Sequence, residues 1–310
     1  MKVFNGIEAY PRDDGPVVAT LGNYDGIHLG HRAILDSVCR SARRLGRPSL
    51  VVTFEPHPLT VVAPDRRPQL LLTRGQKIDA VADAGIDRLL FLGFDEEVAR
   101  LSGAAFFEEH LAGPIRLAGV HVGSNFRFGQ RRAGTLETLV DIGRKLGFDV
   151  EGIAPVEVDG QVVSSSAIRR LVDDGRVEEA GRLLGRPFAL SGVVVRGEGR
   201  GRSLDFPTAN LDVANECLPR RGVYVTEWIA DAVRHASVTN VGVRPTFDGE
   251  QLVVETHILD FDEEVYDRRV ELAFLARLRD ERRFDGPAAL ADQIARDRAA
   301  ATAYFENVSL

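Results

Sequence analysis

The spacing of apolar runs constrains this chain more than any other feature, because it changes character part-way along. In the first half, short β-branched or leucine-rich runs stand at Val17-Val18-Ala19-Thr20-Leu21, Leu50-Val51-Val52-Thr53-Phe54, Leu89-Leu90-Phe91-Leu92, Gly119-Val120-His121-Val122 and Asp149-Val150-Glu151-Gly152-Ile153. Their starts lie roughly 30 to 40 residues apart, the length of a strand plus a crossover helix. Between the first two runs, Ile34, Leu35, Val38, Ala42 and Leu45 recur with helical period. This predicts an open parallel sheet with helices on both faces, its ligand beyond the carboxyl ends of the strands.

After residue 186 the pattern changes. Leu190 to Arg196, Val223 to Ile229, Val233 to Val238, Leu252 to Leu259 and Val270 to Leu275 read as strands without intervening helices, with turn residues such as Asp231 and Asp248-Gly249 between them. That is the pattern of a small antiparallel barrel or sandwich. Pro287 opens a last helix, with Leu290, Ile294 and Tyr304 on its expected buried face. Ser165 to Leu184 reads as a helical hinge ending at Gly185-Arg186-Pro187. The fold class is therefore α/β plus all-β, and 310 residues suit two domains, 1–186 and 187–310.

Composition narrows the function classes. A net charge of -7 disfavours a nucleic-acid partner, which usually demands a basic face. There is no apolar run of about 18 residues to span a membrane, and Met1 to Pro16 has no apolar signal core. Cys39 and Cys217 make neither a disulfide framework nor a metal-ligand spacing. A cytoplasmic protein acting on small molecules, as a monomer or weak homo-oligomer, is expected.

Chemistry concentrates first in Leu21-Gly22-Asn23-Tyr24-Asp25-Gly26-Ile27-His28-Leu29-Gly30-His31. A strand ends there, a glycine-rich turn follows and a helix begins. Helix N-termini present free N–H groups and positive dipole, so anions collect at them. His28 and His31 lie on one side of the helix, and Gly30 between them lets a phosphate approach the backbone. As N–H donors they can stabilise charge building on phosphates without acting as bases. A histidine pair alone is more often surface or core; the strand, turn and helix order favours the cradle. Lys2, Lys77 and Lys145 are the only lysines and none directly follows a glycine, so this is no Walker loop. The G-x-S-x-G, H-E-x-x-H and C-x-x-C patterns are also absent, which removes hydrolase and zinc readings.

Val163-Ser164-Ser165-Ser166-Ala167-Ile168-Arg169 offers hydroxyls and an arginine at a helix start, a second anion cradle or plain N-capping. Phe54-Glu55-Pro56-His57-Pro58 and Asn125-Phe126-Arg127-Phe128-Gly129 each follow a strand end, where aromatics serve as core or as a ligand platform. Arg127, Arg131 and Arg132 either pair with phosphate or face solvent. In the second half, Gly197-Glu198-Gly199-Arg200-Gly201-Arg202 is an anion nest or a glycine-rich hairpin. Thr208 and Asn210, two apart on an extended chain, face the same way and suit Mg2+ shared with nucleotide phosphates. Glu255 sits amid the apolar run Val254 to Leu259, either a surface-facing strand residue or a functional carboxylate.

At these residues, and over essentially its whole length, the chain resembles the bacterial bifunctional riboflavin kinase/FAD synthetase family. The likeness rests on Thr20 to His31, Thr53-Phe54-Glu55-Pro56-His57-Pro58, Val122 to Gly129, Ser164 to Arg169, Pro207-Thr208-Ala209-Asn210, Asn240 to Phe247 and Arg277 to Phe284. It implies a Rossmann-like FMN adenylyltransferase domain followed by a riboflavin kinase-like barrel, with ATP, riboflavin and FMN as substrates. By that likeness His28, His31, Ser164, Ser165 and Arg169 hold ATP phosphates. Gly22, Asp25, Gly30 and Asn125 belong to the same nucleotide site, and Asn23, Phe54, Phe126 and Phe128 adjoin the flavin. In the second domain Gly199, Gly201 and Thr208 bind ATP, Thr208 and Asn210 hold Mg2+, and Arg277 to Phe284 closes over the flavin. Glu255 becomes the base that takes the proton of the riboflavin 5′-hydroxyl. The FMN phosphate is already anionic, so its attack on the α-phosphorus of ATP needs positioning and charge stabilisation but no base. Two positions depart from the family: Ala167 replaces a larger polar or basic residue, and Asp205 replaces glycine, setting a charge close to the phosphates. The alternatives are FAD synthesis alone with an impaired kinase domain, or a non-catalytic flavin or nucleotide sensor.

Overall fold

The computed structural model describes residues 1–11, 15–197, 206–246, 249–282 and 284–307. The chain falls into two compact units, Met1–Ser164 and Ser165–Leu310.

In the first unit β1 (Lys2–Asn5), β2 (Val17–Leu21), β3 (Ser49–Glu55), β4 (Arg88–Gly93), β5 (Leu117–Gly123) and β6 (Asp149–Ile153) form one sheet in the order β1-β4-β3-β2-β5-β6. Every neighbouring pair is parallel. From β2 the chain builds outward through β3 and β4 on one side and through β5 and β6 on the other. The carboxyl end of β2 is thus the topological switch point, where such sheets bind ligands.

Helices α1 (Leu29–Leu45), α2 (Pro58–Val62), α3 (Arg74–Asp83), α4 (Glu96–Arg100), α5 (Gly103–Ala105) and α6 (Leu136–Leu146) connect the strands, and α5 runs on into a π-helical turn at Phe106–Ala112. Strand alternation splits the core in two. Val17, Ala19 and Leu21 join Val52, Leu90 and Val122 against Phe106, Phe107, Leu139 and Phe148. Val18, Val51, Leu89 and Phe91 face Leu35, Val38 and Ala42 of α1 and Val81 of α3. Burial on both faces is why these strands read as continuous apolar runs. β1 escaped that reading because Lys2, Val3 and Asn5 are exposed at the sheet edge. A two-strand hairpin, β7 (Glu157–Val158) with β8 (Gln161–Val162), completes the unit.

The second unit opens with α7 (Ser165–Asp173) and α8 (Val177–Leu184). The expected single helical stretch breaks between them at Gly175, whose φ of 76° is left-handed. β9 (Phe188–Val195), β10 (Ala209–Val213), β11 (Gly222–Ala230), β12 (Val233–Thr246), β13 (Gly249–Ile258) and β14 (Arg269–Arg279) then close an antiparallel barrel in the order β10-β13-β12-β11-β14-β9. β10 is absent from the strand runs read above, since its five residues Ala-Asn-Leu-Asp-Val hold too few strand formers to stand out, although the spacing of Thr208 and Asn210 takes this stretch as extended.

Leu190, Tyr224, Trp228, Leu272 and Phe274 are buried in the barrel. Beside them runs a chain of fully buried hydroxyls. Thr226 Oγ1 lies 2.7 Å from both Ser237 Oγ and Thr239 Oγ1, and Thr239 Oγ1 lies 3.0 Å from Thr256 Oγ1. The last helix, α9 (Pro287–Asn307), starts at Pro287 as expected and covers Val225, Leu259 and their neighbours. Its most buried positions are not Leu290, Ile294 and Tyr304 but Gln293, Asp297 and Ala301. The reason is polar: Asp297 receives Arg279 through contacts of 3.0, 3.1 and 2.7 Å, and Gln293 Nε2 donates to it at 2.7 Å.

Candidate active sites

The first site grows from the end of β2. The chain leaves the strand through Tyr24 (φ 45°), Gly26 (φ 92°) and Ile27 (φ 40°). Tyrosine and isoleucine rarely adopt positive φ. Here burial over-determines them: Ile27 is fully enclosed, and the Tyr24 hydroxyl meets Thr20 Oγ1 at 2.5 Å.

His28 then caps α1, its Nδ1 accepting the His31 backbone N–H at 3.2 Å. An accepting Nδ1 carries no proton, so the ring N–H of neutral His28 is at Nε2. The His28 and His31 rings stack with centroids 3.7 Å apart and planes 14° from parallel. A Cβ at Gly30 would stand 3.2 Å from the His28 ring, so the glycine permits the stack. Burial, the adjoining His28 and the Lys77 ammonium hold the His31 pKa well below the usual histidine range. His31 is therefore neutral near pH 7, and among the described residues its Nδ1 is shut off from solvent without a hydrogen-bond partner. The cradle offers ring N–H groups and helix amides rather than two imidazolium charges.

Asp25, expected at ATP, is buried with its oxygens accepting backbone N–H groups of Leu71 at 3.0 and 3.1 Å and of Leu72 at 3.2 Å. It ties the turn to the segment entering α3. Gly22 leaves room for the Tyr24 ring, which a Cβ there would meet at 3.1 Å. The Asn23 side chain meets His57 Nε2 at 3.0 Å, while its carbonyl receives Lys77 Nζ at 2.8 Å and Thr53 Oγ1 at 3.0 Å. Lys77 had no assigned role. Burial lowers its pKa, opposed by Asp25 and Glu55. Its only sequence signal was rarity.

Among the aromatics, Phe54 is partly buried against Phe94 at 5.6 Å and Phe106 at 6.1 Å. Phe126 stacks on Phe128 at 5.4 Å. Phe128 is itself core, its ring closed in by Gly103 and Gly134. Asn125, Arg127, Arg131 and Arg132 are exposed. Ser164 ends the first unit. In the second, Ser165 opens α7 with Arg169 four residues on, and Ala167 between them is buried.

In the barrel, pairing register builds the other site. Asn210 of β10 stands opposite Glu255 of β13, which stands opposite Asn240 of β12. A half-buried carboxylate is thus flanked by two amides across three strands. Bare α-carbons make space for this row: a Cβ at Gly197 would come within 2.2 Å of the Asn210 amide, and one at Gly242 within 2.3 Å of Glu281 Oε1 and 3.0 Å of Asn240 Nδ2. Thr208 is exposed just ahead of β10. The Pro207 carbonyl meets His257 Nδ1 at 2.9 Å. Arg279 and Arg282 lie over the Phe284 ring at 5.7 and 4.9 Å. Gly199, Gly201 and Asp205 lie outside the described residues, as do Phe247 and Asp248. The sequence alone gives Asn240 and His257 no individual role, because only cross-strand register brings them here; Glu281, just past the end of β14, reaches the row beside Gly242.

Comparison with known proteins agrees with both halves. Residues 10–167 match the FAD synthetase family model and residues 184–305 the riboflavin kinase model. A bifunctional riboflavin kinase/FMN adenylyltransferase of Pseudomonas fluorescens is 38% identical over 304 residues, covering 98% of this chain and 97% of the relative. Proteins of the same description from Escherichia coli (strain K12) and Bacillus subtilis (strain 168) are 35% and 33% identical, covering 98% and 94% of this chain and 98% and 93% of their own. A crystal structure described as a macrolide-efflux protein from Streptococcus pneumoniae superimposes with a TM-score of 0.89 at 29% identity, covering 97% of this chain and 99% of that one. That description stays with the pneumococcal protein; among the described residues here, no helix is long and apolar enough to cross a membrane. Matched in both halves and along nearly its full length, the chain belongs to the bifunctional riboflavin kinase/FMN adenylyltransferase family.

Proposed function

We propose that residues 187–310 phosphorylate the riboflavin 5′-hydroxyl with ATP and that residues 1–186 transfer AMP from a second ATP to the resulting FMN, giving FAD and pyrophosphate. One observation carries this reading: strand register sets a half-buried carboxylate, Glu255, between the amide residues Asn210 and Asn240, where a hydroxyl nucleophile needs a base, whereas an FMN phosphate, already anionic, needs none.

A primary alcohol is a poor nucleophile until its proton leaves, so Glu255 accepts the proton as the 5′-oxygen attacks the γ-phosphorus and ADP departs. Thr208 and Asn210 supply neutral oxygens, the donor class that Mg2+ takes alongside nucleotide phosphates. They would hold the ion, and when bound it offsets charge on the phosphates. In the cradle an FMN phosphate oxygen bonds to the α-phosphorus, the bond to the β-phosphate breaks and pyrophosphate leaves. His28 Nε2–H, His31 and the first amides of α1 stabilise the charge that shifts onto the phosphate oxygens. Ser164 and Asn125 extend the nucleotide site, with Phe54 and Phe126 as flavin contacts and Phe128 supporting Phe126 from the core. The protein works on small molecules in the cytoplasm, as a monomer or weak homo-oligomer and without nucleic acid.

The test is to incubate the purified chain with riboflavin, ATP and Mg2+ and to separate the flavins by chromatography. FMN followed by FAD is expected. FAD formed only from added FMN selects the impaired-kinase alternative, and flavin binding without conversion selects the sensor.

A further inference from the structure

β13 carries more than the base. Glu255 and His257 stand two apart on one face, while Thr256 between them turns inward to the hydroxyl chain. His257 Nδ1 lies 2.9 Å from the Pro207 carbonyl. A carbonyl only accepts, so Nδ1 carries the proton and donates. The Phe206 ring meets the imidazole edge to face, centroids 5.8 Å apart at 81°.

The place of this bond gives it meaning. Pairing of β10 with β13 begins at Ala209 opposite Thr256, so Thr208 precedes the ladder. Proline has no N–H to tie that stretch down. The His257 bond anchors the carbonyl directly before Thr208, leaving the threonine between an anchored group and the first ladder pair.

We propose that His257 is a positioning residue for riboflavin phosphorylation: it holds Thr208 at a set place relative to Glu255 and to Asn210, both fixed by strand register, so that Mg·ATP is gripped where the base acts. This rests on the site assignment made above. Without the donor, Thr208 swings free, and the grip on Mg·ATP weakens while the flavin pocket stays as it was.

The test uses the full chain. His257→Phe keeps a ring and removes the donor, whereas His257→Asn keeps an N–H close to the Nδ1 position. For His257→Phe, the Mg·ATP concentration that half-saturates riboflavin phosphorylation should rise about tenfold, the scale of one lost hydrogen bond. Riboflavin affinity by flavin fluorescence should stay within about twofold, and FMN adenylylation should not change. His257→Asn should restore most of the loss. Unchanged Mg·ATP saturation in His257→Phe overturns the proposal, and so does an equal loss of riboflavin affinity, which marks general damage to the barrel. Glu255→Gln serves as the reference: should it phosphorylate riboflavin at the parent rate, the site assignment itself fails, whatever His257 does.

Discussion

The two candidate sites are built by different means. The cradle of the first unit is local: eleven consecutive residues, Leu21 to His31, supply the strand end, the strained turn, the cap and the stacked rings. The barrel site is assembled at a distance, since Asn210, Asn240 and Glu255 share a face only because three strands pair in one register. Their surroundings differ too. The first unit seals its sheet between two apolar clusters, whereas the barrel runs a buried hydroxyl chain beside Glu255 through β11, β12 and β13. A local site is set by turn geometry and helix capping, and a distributed one by everything that holds the register. Changes near His28 should therefore stay confined to one reaction, while changes inside the barrel should spread through it.

The sharpest break between the sites is Glu255→Gln. Riboflavin phosphorylation should fall by about 10² to 10⁴-fold, the range for a lost general base. FAD formation from added FMN should persist, both read by chromatography. Loss of both in a folded protein would end the two-site description.

The converse is His28→Asn, which keeps a side chain able to cap α1 but removes the Nε2–H donor. Adenylylation should drop by about 10² to 10³-fold, as for one oxyanion-type donor, with riboflavin phosphorylation untouched. Equal loss after Gly30→Ala, which crowds the His28 ring, would point to ring placement rather than the donor alone.

Thr239→Val tests how far the barrel depends on its interior. It strips the middle hydroxyl from a chain in which Thr226 and Thr256 are fully buried. A loss of about 1–3 kcal/mol from the second unit is expected in denaturant unfolding, with adenylylation by the first unit intact. No change would show that the hydroxyls re-pair without it.

The smallest effect is a pH slope in the first unit. Burial lowers the His121 pKa, opposed by Glu151, and its Nδ1 is held 2.9 Å from Ser37 Oγ. His31 is lowered as well, first by burial. Above about pH 6.5, the unfolded histidine value, neither state binds the proton and the full stability is present. Below it the unfolded chain takes up protons that the folded rings refuse, so stability falls toward acid. His121→Asn should flatten that slope in thermal melts between pH 7 and 5, and a slope left unchanged would remove His121 from the account.

Much of the fold was legible. The five runs of the first half lie within β2 to β6, and β11 and β14 fall where alternation placed them. The edge strand β1 and short β10 were not, because partners rather than their own side chains hold them in the sheets. α9 misled in another way. Its buried stripe is led by Gln293 and Asp297, polar residues that pattern reading assigns to solvent until Arg279 is found against them. Asp25, which the resemblance sets at the nucleotide site, also accepts the backbone N–H groups of Leu71 and Leu72, a tie across 46 positions that no short stretch shows.

What the sequence by itself determined is therefore the local chemistry: a helix start carrying His28, Gly30 and His31, and an acid amid an apolar strand. Capping, stacking and alternation act over a few residues, so they can be read in order along the chain. Tertiary structure alone decided which distant groups meet. Lys77 reaches the Asn23 carbonyl across 54 positions and His257 reaches Pro207 across 50. Such contacts depend on strand register and helix placement, which the packing of the whole unit selects and no short stretch encodes.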